Sequence, residues 1–150
     1  MEFYAAFLTV APGGFNAEVV IRGYNGVSET IREIEEKGLE ASAKEQEELS
    51  TLQLVREALA RGVEFLPVDL QRSDAVAFLP ENGKIRMPFN SLPGLGDTAA
   101  AKIIEARDKH EIYSIEDLRR HTGISKAVIE ILRNNRVLDG LSETNQISLF

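Results

Sequence analysis

The spacing of apolar residues in the first half of the chain predicts an amphipathic helix. Residues 42–45 read Ser-Ala-Lys-Glu, the order of a capping box, in which the serine and glutamate side chains each accept a backbone N–H. From there to Gly62 apolar residues recur at intervals of three and four, as they do on one face of a helix. These residues are Leu49, Leu52, Val55 and Leu59. The stripe predicts a core-facing surface rather than a cofactor site.

Further helices are predicted before this one. Residues 2–9 form an apolar stretch that ends at the breaker Ala-Pro-Gly-Gly, residues 11–14. Asn16 is a candidate cap for a short turn, because its side-chain oxygen can accept an N–H at a helix start. Ser28 is the candidate cap of a helix that Gly38 ends.

From residue 63 the pattern changes to short apolar stretches bounded by turn residues. Val63–Leu66 reads as one short strand, and residues 75–79 and 84–87 read as two more. The last two flank Pro80–Gly83, whose Asn-Gly pair adopts the positive φ angles of a tight hairpin turn. We therefore predict a small sheet between two helical parts.

Helical signals return after residue 88. Residues 114–117, Ser-Ile-Glu-Asp, have the order of a second capping box. Ser125 is the candidate cap of another helix, with Ile129 and Leu132 on its buried side. Gly140 is expected to end the ordered part, before a short extended tail. The predicted fold class is mainly α with a small β-sheet, an α+β fold.

The charge pattern restricts how this protein could hold nucleic acid. The formal net charge of −7 argues against a broad positive surface. Residues 91–136 contain eight Lys or Arg and seven Asp or Glu, so they net +1 and the remainder nets −8. Any phosphate contact is therefore expected from this nearly neutral segment, and it should be small.

Composition excludes several kinds of chemistry. The chain has no cysteine, which removes disulfides, thiolate catalysis and cysteine-ligated zinc. His110 and His121 have no further ligand at metal-binding spacing, so both are expected on the surface. There is no Asp-x-Asp pair, and the acidic clusters at 35–36 and 45–48 fit solvated helix faces. We therefore predict no metal site and no catalytic residue in this chain.

The sequence also indicates whether the chain could span a membrane and where in the cell the protein is expected. No apolar run reaches the ~18–20 residues that span a bilayer. The apolar N-terminus has an acidic residue at position 2 and no basic leader. The expected location is the cytoplasm, with no membrane partner.

Residues 92–104 read Leu-Pro-Gly-Leu-Gly-Asp-Thr-Ala-Ala-Ala-Lys-Ile-Ile and predict a sharp turn that leads directly into a helix. Pro93 cannot continue a preceding helix, and Gly94 and Gly96 permit the turn and leave backbone N–H groups uncovered. The free amides of the next helix begin beside this turn. Together these groups form an anion site suited to a DNA phosphate.

Side chains around this turn have supporting roles. Leu95 is expected to plug the turn into the core, and Ala99 and Ala101 to allow close helix packing. Lys102, one turn further on, can add a positive charge. Asp97 would repel phosphate, although it can stabilise the helix start. The predicted DNA-binding residues are Pro93, Gly94, Leu95, Gly96, Thr98 and Lys102.

A fainter copy of this turn lies 29 positions later. Gly-Ile-Ser occupies residues 123–125, where Gly-Leu-Gly occupied 94–96. The copy lacks the second glycine, so it is either a second DNA contact or purely structural. Its candidate residues are Gly123, Ile124, Ser125 and Lys126.

The chain finishes with Gln-Ile-Ser-Leu-Phe, residues 146–150, after a polar spacer. Burial of a leucine or a phenylalanine is worth about 1.5–3 kcal/mol for each side chain. This segment therefore either folds back on its own domain or enters an apolar pocket of a partner. Physical reasoning alone favours neither.

Several of these strings resemble known families. Residues 92–104 resemble the helix-hairpin-helix family of sequence-independent DNA binders. The terminal pentapeptide resembles the bacterial sliding-clamp-binding motif, which implies that Gln146, Ile147, Leu149 and Phe150 contact the clamp. With the strings at 2–6, 68–73, 88–96 and 114–118, essentially the whole chain resembles the C-terminal end of PolC, the Gram-positive-type DNA polymerase III α subunits.

This resemblance implies a division of the chain and its partners. Residues 1–87 would finish the fingers region and include the connecting sheet. Residues 88–140 would form a double helix-hairpin-helix domain that binds duplex DNA, and 141–150 a flexible tail that binds the sliding clamp. The parent protein would be a DNA-directed DNA polymerase that uses Mg²⁺ in its palm. No cofactor and no polymerase activity are expected in this chain alone.

Two other readings stay open. Helix-hairpin-helix elements also occur in DNA-repair glycosylases and lyases, but no string like their Val-Asp-Thr-His follows Ile104. The other reading is a stand-alone module that binds only protein partners.

Overall fold

A computed structural model describes residues 2–10 and 15–145. It begins with α1 (Glu2–Val10), α2 (Ala17–Val20), α3 (Gly23–Lys37) and α4 (Ala43–Ala60). A 3₁₀ turn, Gly38–Glu40, joins α3 to α4. These two helices pack against each other through buried residues at helical spacing, namely Val27, Ile31 and Ile34 on α3 and Leu52, Val55 and Ala58 on α4. The predicted stripe is therefore a core surface.

Two of the three predicted caps in this part are confirmed. The Asn16 side chain accepts from the N–H groups of residues 18 and 19, and Ser42 and Glu45 form both bonds of a capping box. Ser28 is not a cap, because α3 already begins at Gly23. Its hydroxyl is buried and has no hydrogen-bond partner among the described residues. Gly23 has a φ of +82°, a left-handed turn that lets α3 follow α2 almost directly.

A three-stranded sheet follows, in the order β1-β3-β2. β1 (Phe65–Leu66) pairs in parallel with β3 (Lys84–Arg86), and β2 (Leu79–Glu81) pairs with β3 in antiparallel register. The predicted hairpin is confirmed, with Asn82 and Gly83 at φ angles of 52° and 79°. The turn is shorter than predicted, since Pro80 and Glu81 belong to β2, and the strand predicted at 75–79 is wrong except for Leu79, where β2 begins. Proline is tolerated there because β2 is an edge strand.

The loop between β1 and β2 fastens the sheet to the C-terminal helices. The buried Ser73 hydroxyl donates to Met87 O at 2.7 Å. Arg107, on helix α5 (Asp97–Lys109), donates through Nη1 to Ser73 O at 2.6 Å and to Leu70 O at 3.2 Å. One guanidinium therefore fixes α5 relative to the loop and, through Ser73, to Met87, the residue that directly follows β3.

The C-terminal part consists of a 3₁₀ turn (Phe89–Ser91), α5, α6 (Ile115–Thr122) and α7 (Lys126–Asn134). Ser114 caps α6 as predicted, but Asp117 accepts from Tyr113 N instead of completing a capping box. Ser125 caps α7, where Ile129 and Leu132 are buried. The predicted fold class, mainly α with a small sheet, is confirmed.

Backbone order continues past the expected end at Gly140. Ile115 N donates to Ser142 O at 2.9 Å, and Glu116 N donates to Glu143 O at 3.0 Å. These bonds satisfy N–H groups in the first turn of α6, so the chain stays attached at least this far. Across the described ranges, no helix combines the length and apolar character that crossing a bilayer requires.

Candidate nucleic-acid interface

The first hairpin turns at Gly94, and only glycine fits there. Its φ is +85°, which side chains rarely tolerate. A Cβ at this position would stand 2.9 Å from Cδ1 of Ile131 on α7. Leu95 is buried, and its N–H donates to Leu92 O at 3.1 Å. The turn is therefore anchored in the core by Leu95, as predicted, and backed by α7.

The second glycine of this hairpin leaves the start of α5 uncovered. Gly96 occupies the N-cap position and offers no side chain to the helix amides. Within the described part of the chain, no acceptor is present for the N–H groups of Gly96, Asp97, Thr98 or Ala99. Gly94, Gly96 and Thr98 are exposed to solvent, and Pro93 is half-buried. The predicted amide-lined anion site is thus open and without an internal partner.

One side-chain prediction near this hairpin needs correction. Ala101 is exposed, so it does not permit close packing as predicted; the fully buried Ala100 does so instead, beside Ala99, which is partly buried and packs against the core. Lys102 is exposed and lines a groove of about 340 Å³ together with His121 and Thr122, and its contact with DNA stays a prediction. Its charge therefore lies beside the helix that leads into the second hairpin.

The second hairpin repeats the turn with a different cap. Gly123 has a φ of +67° and Ile124 is buried, matching Gly94 and Leu95. Ser125 replaces the second glycine, and its hydroxyl accepts from Val128 N at 3.2 Å. Lys126, exposed, is the first residue of α7, in the place that Asp97 holds in α5.

The charges at the two helix starts differ. The Asp97 carboxylate accepts from the Asn90 amide at 3.1 Å, which holds it beside the first turn. Lys126 and Arg119 line a groove of about 640 Å³ at the second turn, and neither forms an ion pair within the described residues. Arg133, in the same groove, is paired with Glu143, and their hydrogen bond lowers the pKa of that carboxyl. The second hairpin thus has the more positive surroundings.

A third groove, of about 440 Å³, lies at the first hairpin. It is lined by residues 93–96 and by residues that the sequence analysis did not predict at this site, namely Phe15, Asn16, Lys44, Glu48 and Asn90. No local signal could have identified them, because they come from three separate parts of the chain. The first hairpin therefore shares its surface with the N-terminal helices.

The two histidines lie together, on the surface side of α5 and α6. Their rings stack with centroids 3.8 Å apart and planes inclined by 13°. His110 is exposed and His121 half-buried. Over residues 2–10 and 15–145, no three His, Asp or Glu side chains are grouped so as to hold a metal ion.

Comparisons with known proteins agree with this geometry. A family described as a helix-hairpin-helix motif matches residues 62–147. The PolC-type DNA polymerase III of Halalkalibacterium halodurans is 43% identical over 148 residues, which is 99% of this chain and 10% of that protein. Those of Thermotoga maritima and Bacillus subtilis are each 40% identical, over 151 and 148 residues, with 11% and 10% of their lengths covered. The chain belongs to the PolC-type DNA polymerase III family.

This PolC-type chain spans about a tenth of the length of the curated relatives it matches. Both hairpins lie within the matched helix-hairpin-helix region, as do the residues that line the grooves of about 640 and 340 Å³, whereas the groove of about 440 Å³ also includes residues of the N-terminal helical part. The residues expected to bind the clamp, Gln146, Ile147, Leu149 and Phe150, lie outside the described residues.

Proposed function

We propose that this chain holds duplex DNA by its sugar–phosphate backbone, without reading base sequence, as part of a replicative DNA polymerase. The observation that carries the proposal is the corner at Gly94 and Gly96, which leads into a helix whose first amides have no acceptor among the described residues. Such amides, at the positive end of the helix dipole, attract phosphate. The relatives' name, DNA polymerase III, agrees with DNA as the ligand.

A DNA contact made by main-chain amides is compatible with an acidic protein. It requires no broad positive surface, so a net charge of −7 is compatible with it. Contacts to phosphate position a protein on DNA but do not distinguish bases. Because few charges take part, we expect this chain alone to bind weakly, with a Kd of about 10⁻⁴–10⁻⁶ M at physiological salt.

The second hairpin is proposed to add another phosphate contact. Gly123 forms the same left-handed turn as Gly94, and Lys126 places a cation at the helix start. The Ser125 hydroxyl is already engaged with Val128 N, so the contact would depend on the amides of residues 126 and 127 and on lysine. This contact should be more salt-dependent than that of the first hairpin.

The remaining expectations from the resemblance are part of the same proposal. Residues 1–87 finish the fingers region, 88–140 bind duplex, and the tail from 141 tethers the polymerase to the sliding clamp through Gln146–Phe150. The whole protein polymerises DNA with Mg²⁺ in the cytoplasm. A repair glycosylase or lyase is the rival function, and cleavage of lesion-bearing duplex by this chain would favour it.

The DNA-binding proposal is tested by titrating labelled duplex of arbitrary sequence at about 50 and about 200 mM salt. Gly96→Val should weaken binding, because the branched side chain would cover the amides at an open position where φ is ordinary. Ala60→Val, on the exposed end of α4, is the matched control and should bind as the unchanged chain does. Equal binding by all three proteins would contradict the amide site.

The clamp proposal is tested separately. Removal of residues 146–150 should abolish binding to the sliding clamp and leave duplex affinity unchanged. Because a truncation can act indirectly, Phe150→Ala in the full chain should also weaken clamp binding, whereas Ser148→Ala should not. Clamp affinity that survives the truncation would show that the tail is not the tether.

A further inference from the structure

The groove at the first hairpin is lined by two parts of the chain that lie far apart in the sequence. One wall is the turn at residues 93–96, and the other comes from Phe15, Asn16 and the first turns of α4. Its volume, about 440 Å³, is sufficient for a segment of a polymer rather than a single ion. Anything bound at the Gly96 amides therefore has the start of α4 beside it.

Lys44 is the cation on the α4 side of this groove. Glu48 lies four residues further along α4, the spacing at which lysine and glutamate ordinarily pair. Here Glu48 instead accepts from the Asn16 amide, with Nδ2 to Oε1 at 3.1 Å. Lys44 is exposed and has no ion pair within the described ranges. The Asn16–Glu48 bond thus leaves the ammonium group of Lys44 available to an outside anion.

The other polar groups of the groove do not offer a competing cation site. Glu48 is half-buried and engaged, and the Asn90 amide is bonded to Asp97. Among the described lining residues Lys44 is the one positive side chain, and it faces a turn rich in free N–H donors. A lysine carries its charge on a long flexible stem, so it can follow a mobile phosphate. The combination favours an anionic chain over a cation or an apolar peptide.

We propose that Lys44 binds a second phosphate of the strand whose first phosphate lies on the amides of the first hairpin. This inference rests on the proposed DNA-binding function and deepens it. It makes the N-terminal helical part a contributor to the nucleic-acid site rather than only its support. Asn16 is then a positioning residue, which acts by keeping Glu48 away from Lys44.

The test compares variants of the whole chain in duplex titrations at several salt concentrations, with folding checked by thermal unfolding. Lys44→Ala should weaken binding about three- to tenfold at low salt and reduce the slope of log K against log salt by about 0.9. Arg32→Ala, at an exposed cation of α3 that forms no ion pair with the described residues and does not line the groove, should change neither quantity appreciably. A loss with Arg32→Ala equal to that with Lys44→Ala would overturn the inference, since it would reflect net charge alone.

A variant that is expected to bind more tightly completes the test, because misfolding would weaken binding and could not produce an increase. Glu48→Gln retains an oxygen for the Asn16 amide but removes the negative charge, so it should tighten duplex binding about two- to fivefold. Unchanged affinity and slope in Lys44→Ala, together with weaker binding by Gly96→Val, would overturn this inference and leave the proposed function standing. Absence of duplex binding by the unchanged chain would overturn both.

Discussion

Gly94 of the first hairpin lies directly against Ile131 of α7, the helix that follows the second hairpin. A Cβ added at Gly94 would stand 2.9 Å from Cδ1 of Ile131, closer than carbon atoms pack. The two hairpins are therefore not independent modules, because the helix of one supports the corner of the other.

Gly94→Ala should destabilise the chain by about 1–3 kcal/mol, because both the left-handed φ and the contact with Ile131 oppose it. Urea unfolding followed by circular dichroism measures the change. Ile131→Val in the same chain removes the crowded methyl group and should recover part of the loss, but not the part due to φ. No recovery in the double variant would contradict the packing explanation.

Asp97→Asn should tighten duplex binding about two- to fivefold at low salt and less at high salt, because a carboxylate beside the anion site is removed. The asparagine oxygen can still accept from Asn90, so the local structure should be kept. Fluorescence anisotropy at two salt concentrations measures the effect. Weaker binding would instead indicate that Asp97 is needed for the helix start.

Arg107→Lys should destabilise the fold by about 1–3 kcal/mol although it keeps the charge, because the lysine ammonium ends one bond short of Nη1, the nitrogen that donates to both Ser73 O and Leu70 O. Arg32→Lys on the exposed face of α3 is the control and should be near neutral. Chemical denaturation compares them. Equal stability of the two variants would mean that the link between α5 and the loop contributes little.

Stability should fall in acid partly through Glu81. Its carboxylate accepts from Arg86 Nε at 2.6 Å and from Arg72 Nη1 at 2.8 Å, and these bonds lower its pKa from 4.5 to about 2. A carboxyl with a lowered pKa in the folded state stabilises the fold above its unfolded pKa, and that contribution is lost as the pH falls from 4.5 toward 2.

Thermal unfolding between pH 5 and pH 2 tests this point. Glu81→Gln should be less stable than the unchanged chain near neutral pH, and its stability should decline less steeply in acid. Glu29→Gln, on the exposed face of α3, is the matched control and should follow the unchanged chain. Parallel profiles for the unchanged chain and Glu81→Gln would contradict the role assigned to this carboxylate.

Local chemistry made much of the fold predictable from the sequence. Ser42, Ser114 and Ser125 cap helices as expected, since capping depends on residues only a few positions apart. The Asn82-Gly83 turn and the left-handed glycines of both hairpins follow from the same short-range rules. The fold class and the exposed, open corner at Gly96 could accordingly be predicted from the sequence alone.

The predictions that were wrong concern positions whose structure depends on residues far away in the sequence. Ser28 looks like a cap, but Gly23 starts α3 earlier because the chain turns there with a positive φ. Ala101 and Ala100 are equivalent by composition, and only packing shows that Ala100 faces the core. Lys44 belongs to the groove at the first hairpin only through tertiary contacts.

The backbone bond between Ile115 and Ser142 has a mechanical consequence. A force applied to the chain beyond residue 145 would be transmitted to the first turn of α6 through this hydrogen bond and the neighbouring one at Glu116. It would not be transmitted only along an unattached linker. The force would act on α6, which ends at Thr122, directly before the turn at Gly123. Tension on the carboxyl end is therefore coupled directly to the corner that precedes α7.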